Sequence, residues 1–248
     1  MSNFSNNFRS TLIDFTQSVF RIFGLHLQYY NPSNSEIALV DYLLSKYNVK
    51  TIIDVGANKG QFARKLFKKN NYSGKIISFE PVSSSYNILL KNSQNNPNWT
   101  VIQSAVGDSK GTLPINISKN SVSSSLRKVY SHTVEVEAGT AVVNTEMVTI
   151  NTLDNLLATQ KWQDDLWLKI DVQGFEREVL QGANETLKRA KVVQIELAVT
   201  PSYEQSPYLE EIIAKLRSSG FVLYSIMSGF RNYNTGQMYE MEGFFVRL

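Results

Sequence analysis

The period of apolar residues changes several times along this chain, and each change marks a new element. Phe8, Leu12, Phe15, Val19 and Ile22 alternate spacings of four and three, which predicts one stripe on a helix stopped at Gly24. Ser33 to Glu36, after Pro32, reads as a capping box opening a helix with Ile37, Val40, Leu43, Leu44 and Tyr47 inward. The pattern then tightens. Thr51 to Val55 is a short apolar run bounded by turn residues, the signature of a buried strand. A helix with Phe62, Leu66 and Phe67 on its apolar face follows, then a second strand, Lys75 to Glu80, broken by Pro81. A helix through Tyr86, Leu89 and Leu90 leads to a third strand, Trp99 to Val106. Such a β-α-β-α-β wind builds a parallel sheet outward from its middle.

From Thr112 to Ile150 the alternation becomes strand-like. Leu113/Ile115/Ile117 and Val134/Val136 flank a serine-rich segment, Ser121 to Lys128. This predicts a β-rich insertion with a mobile segment, a candidate lid or acceptor-binding loop. The α/β rhythm resumes with a fourth strand, Leu166 to Asp171, a helix near Phe175, and a fifth strand, Val192 to Leu197. A helix striped by Leu209, Ile212, Ile213 and Leu216 ends at Gly220, before strands Phe221 to Ile226 and Glu242 to Arg247. The turn-rich join between these two places the last strand antiparallel between five and six. The reading is a mostly parallel α/β sheet, with residues 1–50 as a helical segment packed on the core and 51–248 as the main domain.

Composition adds limits. Hydrophobic residues make up 42% of the 248, an ordinary globular fraction, and the net charge is only +3. No nucleic-acid or membrane partner is demanded by that balance. Absence of cysteine removes disulfides, thiolate metal sites and cysteine nucleophiles. No run is apolar enough to span a bilayer, and Asp14 and Arg21 interrupt any signal-peptide pattern, so a cytoplasmic protein is expected. The N-terminal helix is a candidate homodimer contact.

The candidate chemistry lies at the strand ends. Gly56, Asn58 and Gly60 occupy alternate positions after the first strand, and both residue types tolerate positive φ. With Ala57 they form a turn where a cofactor can approach the backbone at a helix N-terminus. The run is G-x-N-x-G led by Asp54, not the G-x-G-x-x-G of a dinucleotide site. An acidic lead residue suits a cofactor with an ammonium end, and Glu80 is placed to accept from both hydroxyls of a ribose. S-adenosylmethionine has an ammonium, a sulfonium and a ribose without any phosphate.

Asp171 and Glu196 end the fourth and fifth strands, where ligands of open α/β sheets bind. Lys169 and Asp171 share a face, two residues apart on a strand. Asp171, followed by a glycine turn, is the candidate base for an attacking hydroxyl, or else a cap on the next helix. Glu196 has the same two readings, and His132 is a reserve base. Two carboxylates with no third ligand leave magnesium possible but not favoured. Tyr203 and Tyr208 are candidate lining residues of the cleft.

With these residues in place the chain resembles the FkbM-type methyltransferases over about Thr51 to Leu248. The resemblance is carried by Asp54-Val-Gly-Ala-Asn-Lys-Gly60, Phe79-Glu-Pro81, Ala105-Val-Gly-Asp108, Ser123-Ser-Ser-Leu126, Thr152-Leu-Asp154 and Lys169-Ile-Asp-Val-Gln-Gly-Phe-Glu176. It implies a Rossmann-like seven-stranded methyltransferase sheet and methylation of a hydroxyl on a sugar, glycan or secondary metabolite. Cofactor contacts at Pro81, Ser104 and Ala105 are then expected beside Asp54, Gly56, Ala57, Asn58, Gly60, Glu80 and Asp171. Where the family often has Glu, position 173 is Gln, so no acid is available there. A nucleic-acid methyltransferase is the nearest rival, but the amino-methylating enzymes' Pro-Pro-aromatic run is absent after the fourth strand. A non-catalytic S-adenosylmethionine-binding protein is the other.

Overall fold

The structure is a computed structural model describing residues 13, 15–25, 30–160 and 165–248. Of the N-terminal stripe, Phe8 and Leu12 lie outside the described residues, while residues 15–22 are helical. The chain divides into two compact units, residues 1–42 and 43–248. In the first, the helix Glu36–Lys46 begins one cap later than the sequence suggests. Ser35, not Ser33, accepts from the backbone N–H of Ala38 (3.4 Å), and the Ser33 hydroxyl bonds Asn31 instead.

The second unit holds a seven-stranded sheet. Its members are β1 (Thr51–Val55), β2 (Lys75–Phe79), β3 (Trp99–Ile102), β7 (Leu166–Ile170), β8 (Ala190–Ala198), β9 (Val222–Ser228) and β10 (Glu240–Val246). The spatial order is β3-β2-β1-β7-β8-β10-β9, and β10 alone runs against the direction of the other six. The last strand thus inserts between the fifth and sixth, as the turn-rich segment before it suggests. Every residue of β1 and β7 is buried, because helices cover both faces of a parallel sheet. Ile53, Leu168, Ile170, Val193 and Ile195 lie at the centre of the core. Strand order reverses between β1 and β7, which opens a crevice at their carboxyl ends.

The third strand is not continuous. It breaks at Gln103–Ser104, so β3 stays in the main sheet while β4 (Ala105–Gly107) joins a second one. Glu80 makes the last ladder bond, donating its N–H to Ile102, and Pro81 has no N–H to continue it. The second sheet has order β4-β6-β5, with β5 (Gly111–Ser118) and β6 (Val142–Thr152) as an antiparallel pair. The expected strand at Val134/Val136 is instead the helix Ser131–Val136. Two alternating valines do not separate the periods, and contacts decide. Tyr130 N–H and the Thr133 hydroxyl both donate to the Ser202 carbonyl (3.0 and 3.1 Å), anchoring this turn as a helix.

The Thr152-Leu-Asp154 motif is a double cap. Thr152 accepts from Asn155 N–H, and Asp154 accepts from Glu185 N–H and Thr186 N–H at the start of the helix Asn184–Arg189. Among the described residues no helix is long and apolar enough to cross a membrane.

Candidate active site

The turn after β1 has the conformation its residues demand. Gly56, Asn58 and Gly60 all have positive φ, at 84°, 48° and 83°. At Gly56 a Cβ would sit 1.8 Å from the Asp171 carbonyl oxygen, so only glycine lets β1 and β7 run this close. The N–H groups of Gly56 and Ala57 both donate to the Phe79 carbonyl. Glu80 clamps the turn from the next strand: its carboxylate accepts from Asn58 N–H (2.8 Å) and Val82 N–H (2.9 Å). Burial pushes the Glu80 carboxyl up to about 7, against those two bonds. The Asn58 side-chain amide is shielded from solvent at both its oxygen and its nitrogen, yet finds no partner in the protein. Pro81 follows directly. Ser104 and Ala105 are buried, Ala105 packing in one cluster with Val82.

A polar row crosses the sheet behind this turn. Ser78, Asp54 and Lys169 are in register on β2, β1 and β7 and therefore share a face. Trp99 Nε1 donates to Ser78, which donates to Asp54 Oδ2, each over 3.0 Å. Lys169 Nζ lies 3.6 Å from Asp54 Oδ1 and 3.2 Å from Asp171 Oδ2. Burial alone would lower the Lys169 pKa, but the Asp171 and Asp54 carboxylates hold it above its ordinary value. Burial raises that of Asp54, with Lys169 and Ser78 opposing. Asp54 is fully buried, with its carboxylate in this row.

Asp171 and Glu196 come together through a residue that the sequence singles out only as a missing acid. Gln173 has φ 57° and its Nε2 donates to Asp171 Oδ1 and Glu196 Oε2, both at 3.0 Å. Its Oε1 accepts from the Tyr203 hydroxyl (2.7 Å). Tyr203 also reaches the Ser123 carbonyl, and Ser125 donates to the Gln173 carbonyl, which ties the serine-rich loop to the strand tips. Arg127 completes the attachment through Glu178 and Gln205.

Asp171, Gln173, Glu196 and Tyr203 line a cavity of about 360 Å³, closed from the other side by Asn120, Val122, Ser123, Thr133, Phe230 and Tyr233. Glu240 lines it too. Sequence reasoning missed Glu240; its signal was an alternation of acids, Glu240 and Glu242, entering an otherwise apolar strand. His132 is not among the lining residues. Its ring stacks between Tyr130 and Tyr239, at 5.4 and 6.2 Å. Tyr208 is exposed and also outside the lining. Among the described residues no group of three or more His, Cys, Asp or Glu is arranged to hold a metal ion.

Known proteins agree with this layout. Residues 54–223 match the Methyltransferase FkbM domain. The chain is 31% identical over 197 residues to Methyltransferase sdnD of Sordaria araneosa, covering 68% of this chain and 73% of that one. A solved FkbM methyltransferase from Methylobacillus flagellatus shares the fold, with a TM-score of 0.52 and 12% identity over 79% of this chain. The match spans 44% of that longer protein. The strand order, the glycine turn facing β7 and the domain match lead to one conclusion: the chain belongs to the FkbM family of S-adenosylmethionine-dependent methyltransferases.

Proposed function

We propose that this enzyme methylates a hydroxyl of a sugar, glycan or secondary metabolite, with Asp171 as the base. The observation that carries the reading is the cavity of about 360 Å³ with Asp171 in its wall. That volume is of small-molecule size, and its lining mixes carboxylates, hydroxyls and amides with aromatic surface, as a polyol requires.

The residues of the turn fit the cofactor. Gly56, Ala57, Asn58 and Gly60 form the turn over which it would lie, with Pro81, Ser104 and Ala105 as the adjoining wall. The partnerless Asn58 amide supplies a donor and an acceptor that the protein leaves unused. Each Glu80 oxygen already accepts one N–H and retains a lone pair for a ribose hydroxyl. When bound, S-adenosylmethionine supplies an electrophilic methyl on a sulfonium. Asp171 then takes the proton of the attacking hydroxyl, while Lys169 and Gln173 hold its two oxygens in place. Asp54 acts from behind by fixing Lys169. Glu196 orients Gln173 and borders the acceptor space. Alignment of the acceptor oxygen supplies much of the rate, because the sulfonium is a good leaving group.

Transfer of labelled methyl from S-adenosylmethionine to a panel of sugars, glycans and hydroxylated metabolites tests this reading, with transfer RNA and duplex DNA as rivals. Label on an oxygen of a small acceptor supports it. Label confined to nucleic acid, or to nitrogen, rejects it.

A further inference from the structure

Behind the acceptor cavity lies a recess of about 10 Å³, and the two spaces share Glu196, Ser202, Tyr203 and Glu240 as walls. Ser206 and Glu176 close its far side. Room of this size holds one water-sized group, which is also the size of an ammonium head. Its donors and acceptors are unbalanced. The Ser206 hydroxyl is 8% exposed and has no hydrogen-bond partner. Glu240 accepts from Ser202 (2.6 Å), and Glu196 accepts from Gln173. No Lys, Arg or His side chain lines either space among the described residues. Burial, then the neighbouring Glu240 and Asp171 carboxylates, push the Glu196 carboxyl well above its ordinary value. Glu196 and Glu240 are hydrogen-bonded to each other, so the pair holds one proton between them and no cation, and Ser206 is left without a partner.

We infer that this recess is an ammonium subsite, and that the acceptor is an amino sugar or aminocyclitol. Its primary amine enters between Glu196, Glu240 and Ser206 while a nearby hydroxyl faces Asp171. An ammonium has donors for both carboxylates and for the orphaned hydroxyl, and its charge takes the place of the proton the two carboxyls share. The same lining repels phosphorylated and carboxylated acceptors. This rests on the reading of the cavity as the acceptor site.

The test titrates glucosamine, N-acetylglucosamine and glucose into the full chain loaded with S-adenosylhomocysteine. Glucosamine is expected to bind at least about tenfold tighter than the other two, the worth of one charge-assisted bond. That advantage is expected to vanish in Glu240→Gln. The unmodified protein decides even where the variant fails to fold: equal affinities mean that the recess holds only a water and overturn the inference. An advantage that survives in folded Glu240→Gln overturns it as well. Methyl transfer is scored separately. Glucosamine bound tightly but left unmethylated, along with every other amine polyol, keeps the subsite and removes the acceptor reading. Methylation of neutral polyols with no preference for the amine does the reverse.

Discussion

The Tyr203 hydroxyl donates to Gln173 Oε1 over 2.7 Å, and this bond decides which way the amide faces. With the oxygen held, Nε2 must point at Asp171 and Glu196 and supply the donor that keeps two carboxylates side by side. Burial pushes the Tyr203 pKa up, so the hydroxyl stays a donor. Gln173→Glu replaces that donor with a third carboxylate of the same shape. Losing two bonds to carboxylates costs about 3–6 kcal/mol by analogy with charged hydrogen bonds. Tyr203→Phe removes the orienting bond together with the contact to the Ser123 carbonyl, and costs about 1–2 kcal/mol. Urea denaturation measures both; a Gln173→Glu protein as stable as the parent would refute the bridging role.

Asp171→Asn tests the base. Size is kept, but the charge facing Lys169 and the basicity are lost. Turnover on the true acceptor is expected to fall by roughly 10²–10⁴, with S-adenosylhomocysteine affinity within a few-fold. If Asp171 merely caps the following helix, Asn serves almost as well, and near-normal turnover removes it from the mechanism.

Glu80 predicts a pH dependence. Its folded pKa of about 7 lies above the ordinary carboxylate value of 4.5. A raised carboxyl pKa favours folding at low pH, and this contribution is lost as pH rises from 4.5 through about 7. Cofactor binding runs the other way, because the ionised carboxylate accepts from both ribose hydroxyls. S-adenosylhomocysteine affinity should therefore rise between pH 6 and pH 8, by up to about tenfold per unit for one linked proton. Calorimetry on Glu80→Gln should show a flat profile. The same rise in the variant would assign the proton elsewhere.

Lys169 is the cation between Asp54 and Asp171, and it is nearly buried. Lys169→Met leaves Asp54 charged in the core or forces it to take a proton. Breaking a buried pair in this way costs about 3–5 kcal/mol. Adding Asp54→Asn should recover part of that loss. A double variant no more stable than the single one would show that the two residues do not interact energetically.

Much of the fold was legible because its signals are local. Strands β1, β2, β7 and β8 are apolar runs closed by turn residues, and Gly56, Asn58 and Gly60 announce left-handed backbone by their chemistry. Strand-end carboxylates could be read from the same runs, so Glu80, Asp171 and Glu196 were visible in advance. Other features depend on which strands become neighbours. The third strand divides because β2 stops offering partners at Pro81, and Val134/Val136 are helical because Ser202 anchors their turn. Gln173 gains its role only when β7 and β8 lie side by side, and Glu240 joins Glu196 only once β10 inserts beside β8. Sequence by itself determined the backbone preferences, which each residue expresses within a few positions of itself. Tertiary structure alone decided the polar partners, because a hydrogen bond or charge pair needs atoms about 3 Å apart, and register between distant strands sets that distance.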